Sequence, residues 1–202
     1  ELRNRDPEKE NLLHTKAALA MCENIDWNVG RISKKIEELG LNKNTIIIYL
    51  SDNGPNGWRW NQGMKGRKGS TDEGGVRSPL ILKWDGEFEP GKKITQIAAA
   101  IDLLPTLSDL AKINYQPQKE LDGVSLKSLL LDKNPDWKDR LIVNHWGRKT
   151  SIRNQNYRLD ADGKLFDMIN DPGQNTDVSA KRPEITKKLL AAQQKWDNEV
   201  LT

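Results

Sequence analysis

Between Asp52 and Ser78 the chain carries seven glycines, at positions 54, 57, 63, 66, 69, 74 and 75. No helix or strand survives that density, because glycine loses more conformational freedom on folding than any other residue. The segment is therefore a long loop, and loops of that length in a compact domain are usually functional or disordered. Its flanks are apolar. Residues 45–51 are β-branched and apolar without alternation, the pattern of a strand buried on both faces, and they predict a central parallel strand. Residues 79–84 predict a second strand in the same sheet.

The remaining organisation follows from periodicity. Residues 11–39 predict one long amphipathic helix, with Ile25, Val29, Ile32, Ile36 and Leu39 on one face and Gly40 as its stop. Cys22 falls in this helix and is expected to be packed. Asp102 is placed to cap a helix with Pro105 in its first turn, running to about Lys112. Residues 140–146, 151–160 and 164–169 read as short strands with turns at Gly147-Arg148 and Asp162-Gly163, which predicts an antiparallel sheet. Pro183 opens a last helix whose face is Ile185, Leu189, Ala192, Trp196 and Val200. The plan is the end of an α/β domain over residues 1–138, then a small α+β module over residues 139–202.

With 202 residues, 36% hydrophobic and 30% charged, the composition excludes a disordered chain, and no run approaches the ~20 apolar residues of a membrane span. The net charge of +3 decides nothing about nucleic acid. Cys22 is the only cysteine, so no internal disulfide forms. The first residues, Glu1-Leu2-Arg3-Asn4, show neither an initiator Met nor a signal peptide and read as the interior of a longer chain.

The chemistry lies beyond the first predicted strand, at Ser51-Asp52-Asn53-Gly54-Pro55. Ligands of open parallel sheets bind at the carboxyl ends of strands. The Asp52 carboxylate and Asn53 carbonyl are hard oxygen donors suited to Ca²⁺ or Mg²⁺, though Asp, Asn and Gly are equally the residues of a turn. Lys65, Arg67 and Lys68 then fall within four residues among glycines. That pattern suits a small oxyanion approached by backbone N–H groups and a compact ammonium, or else a solvated basic loop. Trp58 and Trp60 interleave aromatics with these cations, as a single-stranded nucleic acid groove would.

Taken in order, the predicted strand, Asp52-Asn53-Gly54, Gly66-Arg67-Lys68-Gly69-Ser70-Thr71, Glu73-Gly74-Gly75-Val76-Arg77 and Pro79 resemble the C-terminal portion of the type I sulfatases, the formylglycine-dependent, calcium-binding arylsulfatases of the alkaline phosphatase superfamily. Downstream, Asp102-Leu103-Leu104-Pro105-Thr106, Leu121-Asp122-Gly123-Val124-Ser125-Leu126 and Leu165-Phe166-Asp167 with Asp171-Pro172 resemble later motifs of that family, and residues 20–30 resemble the helix before its metal strand. The resemblance covers nearly the whole chain.

It implies an alkaline-phosphatase-like, mostly parallel sheet followed by a small antiparallel-sheet domain with a terminal helix. It implies hydrolysis of sulfuric esters, with Asp52 and Asn53 as Ca²⁺ ligands and Lys68 as the catalytic cation touching the sulfate. Lys65 is not the matching lysine, because Lys68 carries the family's following Gly-Ser-Thr. Glu73 and Arg77 are expected to hold the loop. Trp58, Arg59, Trp60 and Asn61 could line a sugar site by stacking and hydrogen bonding, and His145 could reach the substrate from the small domain. The expected partners are a sulfated small molecule or glycan and the N-terminal half of the same protein, with neither nucleic acid nor membrane; the family's compartments are periplasmic, extracellular or lysosomal. The Cys/Ser-x-Pro-x-Arg source of formylglycine is absent, since Cys22 is followed by Glu23-Asn24-Ile25, and so are the N-terminal aspartates of the metal site. The chain alone is therefore expected to be inactive. Two other readings stay open: a phosphodiesterase or phosphonate hydrolase of the same superfamily, against which the shortage of histidine argues, and a non-catalytic module binding sulfated glycans or anions.

Overall fold

The structure, a computed structural model, describes residues 12–57, 60–132 and 136–201, with side chains from Thr15 onward. Helix α1 (Leu12–Glu38) forms where the apolar spacing predicts it. Gly40, at φ +68°, supplies the left-handed stop, and the amides of Gly40 and Leu41 fold back onto the carbonyls of Glu37 and Ile36. The predicted apolar stripe faces solvent: Ile25, Ile32 and Leu39 are 40%, 57% and 58% accessible. Cys22 is exposed rather than packed, because no described element covers that side of the helix. None of the described helices is long and apolar enough to cross a membrane.

Strands β1 (Ile47–Leu50) and β2 (Leu80–Lys83) pair as predicted, but antiparallel, with Ile47 opposite Lys83 and Leu50 opposite Leu80. This corrects the parallel expectation for the pair. Parallel neighbours need a long crossover, usually a helix. The segment between these strands holds only the four-residue helix α2 (Glu73–Val76), so the chain returns in the opposite direction. Neither strand is buried on both faces; β1 is half-buried and exposed at Leu50. A first core forms beside them from Leu110, Leu126, Leu129 and Leu130, with Ile46, Leu82 and Trp84 against it.

Asp102 does not cap a helix by its side chain. A short 3₁₀ turn, Ala100–Asp102, precedes helix α3 (Leu103–Leu110). The fully buried Asp102 carboxylate accepts from the backbone of Ala99 and Val124 and pairs with Arg140 at 2.6 Å. Thr106 accepts from the Leu126 amide at 2.8 Å. A Cβ on Gly123 would stand 2.0 Å from the Ile101 carbonyl oxygen. The motifs at 102–106 and 121–126 are thus two halves of one hydrogen-bonded unit, which sets up helix α4 (Lys127–Leu131).

The antiparallel sheet is a meander of β3 (Ile142–Trp146), β4 (Lys149–Arg153), β5 (Tyr157–Leu159) and β6 (Leu165–Asp167). The predicted segment 151–160 splits in two because the Asn154 side chain accepts from the amides of Asn156 and Tyr157 and closes a turn. Helix α5 (Pro183–Val200) covers one face. Ile152, Leu159, Leu165 and Leu189 form that core, with Val143, Ile185 and Ala192 against it. Val200 is 57% accessible and lies beyond it.

Side chains alternate along a strand, so the opposite face carries Ser151, Arg153, Arg158 and Phe166. That face meets the glycine-dense loop. The Glu73 carboxylate, 2% accessible, accepts from Arg153 at 2.8 and 2.9 Å and from Arg158 at 2.9 Å. Arg158 and the Ser151 hydroxyl also donate to the Thr71 carbonyl. Arg77 stands 3.5 Å from Glu73, as the ion-pair reading expects. Burial pushes the Glu73 carboxyl up, but Arg158 and Arg153 together outweigh it and hold its pKa below the ordinary value of 4.5. A group with a lowered folded-state pKa contributes its full stabilisation above the ordinary value and loses it as pH falls through the folded value.

Removing one partner of a buried ion pair costs about 3–5 kcal/mol, because the other charges stay buried and uncompensated. Urea denaturation is expected to show Glu73→Gln destabilised by that order near pH 7. The gap to wild type should close as pH drops below about 4. A gap that does not change with pH would mean that the carboxylate charge is not what holds the loop.

Candidate functional site

The glycine-dense loop is packed backbone against backbone. The Gly54 amide donates to the Gly75 carbonyl at 2.9 Å, and a Cβ on Gly54 would stand 1.9 Å from the Gly74 oxygen. A Cβ on Gly74 would come within 2.7 Å of the Gly66 and Lys65 oxygens, and one on Gly75 within 2.2 Å of the Ser70 oxygen. These glycines are needed for close approach of chain to chain. The Gly74 and Gly75 amides bond to the Lys65 and Asp72 carbonyls. This corrects the expectation that glycine amides here face an oxyanion: at 54, 74 and 75 they are used inside the loop.

Asp52, Asn53 and Lys68 share one end of this packing. Asp52 leaves the end of β1 with its carboxylate exposed, and no described residue pairs with it. Asn53 is half-buried; its main-chain oxygen accepts from Ser51, and its side-chain amide has no partner among the described residues. The Lys68 amide donates to the Pro55 carbonyl at 3.0 Å, which holds Lys68 close to the Asp52-Asn53 turn. The Lys68 ammonium is exposed and pairs with no described carboxylate.

Lys65 is committed elsewhere. Its ammonium lies 3.1 Å from Asp160 and 3.3 Å from Asp72, and 5.1 Å from the centre of the Phe166 ring. Burial works against its charge, but Asp160 and Asp72 raise its pKa above the ordinary value. Lys65 therefore stitches the loop to the sheet.

The sugar-site residues separate. Trp58 and Arg59 lie outside the described residues. Trp60 is 50% accessible. Asn61 braces the loop, its Nδ2 donating to the Met64 and Gly66 carbonyls at 3.0 and 3.2 Å, while its Oδ1 has no partner among the described residues. His145 is turned away from the loop. Its Nδ1 meets the Thr150 hydroxyl at 3.0 Å, that hydroxyl donates to Asp197 at 2.6 Å, and the ring lies 5.9 Å from Trp196 of α5. The cause is strand alternation: Val143 and His145 share the α5 face, while Asn144 and Trp146 share the loop face. Trp146, which the sequence reading did not single out, lies on the loop face. Its Nε1 lies 3.7 Å from where a Cβ on Gly69 would stand, next to Lys68. The period-two pattern of β3 was the available signal.

Among the described residues no group of three or more His, Cys, Asp or Glu could hold a metal ion. As ligands, Asp52 and Asn53 would supply two or three side-chain oxygens. Ca²⁺ takes six to eight oxygens, so the donors fit as a fraction of such a shell.

Comparison with known proteins agrees with this arrangement. The sulfatase family matches residues 4–113, and the family described as N-sulphoglucosamine sulphohydrolase, C-terminal, matches residues 68–196. A sulfatase of Formosa agariphila is 32% identical over 203 residues, 84% of this chain and 36% of that protein. Human arylsulfatase A is 41% identical over 113 residues, 53% of this chain and 22% of that enzyme. The crystal structure of Ps i-CgsB in complex with k-i-k-neocarrahexaose superposes with a TM-score of 0.80 at 26% identity, over 94% of this chain and 44% of that one. The chain thus spans well under half the length of these relatives. The two family matches overlap across the glycine-dense loop and extend over both sheets, and the chain belongs to the sulfatase family.

Proposed function

We propose that this chain forms part of a calcium-dependent site for hydrolysing sulfuric esters of carbohydrates, within a protein of the relatives' length. The carrying observation is a contrast in one loop. Lys65, Asp72, Glu73, Arg153 and Arg158 neutralise one another, whereas Asp52, Asn53 and Lys68 are held together with no described side-chain partner. Fixed polar groups left open beside each other are what a charged ligand requires. The carbohydrate reading is supported by the neighbour solved with a neocarrahexaose.

Each residue has a stated part. The Asp52 carboxylate and the Asn53 side-chain carbonyl are hard oxygen donors that would hold Ca²⁺, with further donors and the formylglycine nucleophile supplied from outside this chain. Bound Ca²⁺ would supply electrostatic stabilisation of charge on the sulfate oxygens. The Lys68 ammonium, presented by a loop that is fixed from below, donates a charge-assisted hydrogen bond to a sulfate oxygen. The Glu73 cluster and Lys65 keep that loop from relaxing around the ligand, so the donors are pre-oriented.

Two experiments on the longer protein test this. Asp52→Ala removes a charged oxygen and is expected to lower Ca²⁺ affinity and turnover of an aryl sulfate by about tenfold or more, with Asn53→Ala acting in the same direction but less strongly. Calcium titration calorimetry with initial-rate kinetics reads both; unchanged calcium dependence in both variants would leave the segment as a turn alone.

The second separates the two lysines. Losing a charge-assisted hydrogen bond costs roughly 1.5–3 kcal/mol, so Lys68→Ala should lower kcat/KM about ten- to a hundredfold while stability stays within about 0.5 kcal/mol. Lys65→Ala strands the buried Asp160 and is expected to cost about 1–2 kcal/mol of stability, with a smaller effect on kcat/KM. The reverse pattern would place the sulfate contact three residues earlier.

A further inference from the structure

We infer that Trp146 and Lys149, paired at the tip of the β3–β4 hairpin, form a second subsite for a neighbouring sugar unit that carries its own anionic group. The substrate would then be a multiply sulfated or carboxylated saccharide rather than an isolated sulfate ester. The inference rests on the sulfate role proposed for Lys68 and extends it outward.

Trp146 is 66% accessible, the most exposed of the large apolar side chains among the described residues. Its position is specific. The indole Nε1 stands 3.7 Å from the Cβ position of Gly69, so the ring adjoins the residue that follows Lys68. Gly69 has φ +85°, so a side chain there would be strained, while a Cβ would only touch the indole.

Trp146 is directly opposite Lys149 in the register of β3 and β4. Directly opposed residues project from the same face. That face is the one whose Ser151 and Arg153 grip Thr71 and Glu73 of the loop. The hairpin is therefore clamped to the loop that presents Lys68, through contacts along β4. Among the described residues no carboxylate pairs with Lys149.

These groups suit one ligand chemistry. The flat apolar face of an indole packs against the C–H face of a pyranose ring, and its N–H is free to donate. A compact ammonium beside it meets a sulfate or carboxylate on that same ring. A neutral sugar would leave the Lys149 charge unanswered.

The test uses the full-length protein labelled with 5-fluorotryptophan, with the Trp146 resonance assigned through Trp146→Phe. A sulfated carrageenan hexasaccharide should shift that resonance, while inorganic sulfate should not. Trp146→Ala and Lys149→Ala should each raise the Kd for the hexasaccharide roughly two- to tenfold. Lys149→Ala keeps the ring and the hairpin, so it decides the matter if Trp146→Ala folds poorly. Weaker binding in Lys68→Ala with unchanged binding in Trp146→Ala and Lys149→Ala would overturn the subsite and leave the sulfate reading standing. Unchanged binding in Lys68→Ala would overturn both. Equal binding of the desulfated hexasaccharide, or of a single-stranded oligonucleotide, would overturn the assignment to anionic saccharides.

Discussion

The buried carboxylate of Glu73 is the centre of the contacts that hold the glycine-dense loop to the small sheet. Glu73 sits between Arg153 and Arg158 at hydrogen-bond distance from both, with almost none of its surface in water. Burial of three charges is expensive, and geometry is what offsets the cost. Arg153 reaches both carboxylate oxygens through its Nη1, Arg158 reaches one of them through its Nη2, and the Arg158 Nη1 donates to Thr71 and Ser151. The consequence is positional rather than chiefly stabilising. Glu73 opens α2, so fixing its side chain fixes the helix start, and the glycines that follow it fix the loop against Asp52-Asn53-Gly54.

The small sheet can do this because its two faces differ in kind. One face is apolar and takes α5 as its cover. The other is polar, and would be unstable against an apolar partner, but meets a loop whose Thr71 carbonyl and Glu73 carboxylate accept from Ser151, Arg153 and Arg158. A strand alternates by construction, so the same residues that build the α5 core dictate which side chains reach the loop. Arg153 and Arg158 are neighbours across β4 and β5, which is how two guanidiniums arrive at one carboxylate.

Much of this was legible in the sequence where the signal is local or ordered. The helices at both ends follow from apolar spacing, the meander from short segments between turn residues, and the family from motifs in a fixed order. Glu73 and Arg77 were readable as loop-holding residues. What was not legible depends on pairing at a distance. Residues 45–51 lack alternation, but strand direction is set by the connection, and a connection without a long helix returns antiparallel. His145 lies in the right strand and on the wrong face; one residue of alternation separates it from Trp146. Asn61 stands among aromatic and cationic residues, yet its amide answers two carbonyls of its own loop. Asp102 looks like a cap because its side chain suits that part, while two of its three partners, Val124 and Arg140, lie more than twenty residues downstream.

The two lysines show how a loop can give opposite fates to like residues. Lys65 and Lys68 are three residues apart, and composition alone cannot rank them. Between and after them stand Gly66 and Gly69, both at φ near +85°, where the chain turns in a way that other residues resist. Lys65 faces the sheet and finds Asp160, whose other oxygen is already engaged by the amides of Asp162 and Lys164, so the carboxylate is fixed before the lysine arrives. Asp72 adds a second anion from the loop itself. Past Gly66 the chain leaves that surface, and Lys68 is fastened through its backbone to Pro55, with its side chain unspent. A cation already held by two carboxylates has little left to offer a sulfate oxygen, since any approach must first weaken those pairs. One held only by its backbone keeps its charge and donors for a ligand, and the loop beneath it does not have to move when the ligand arrives.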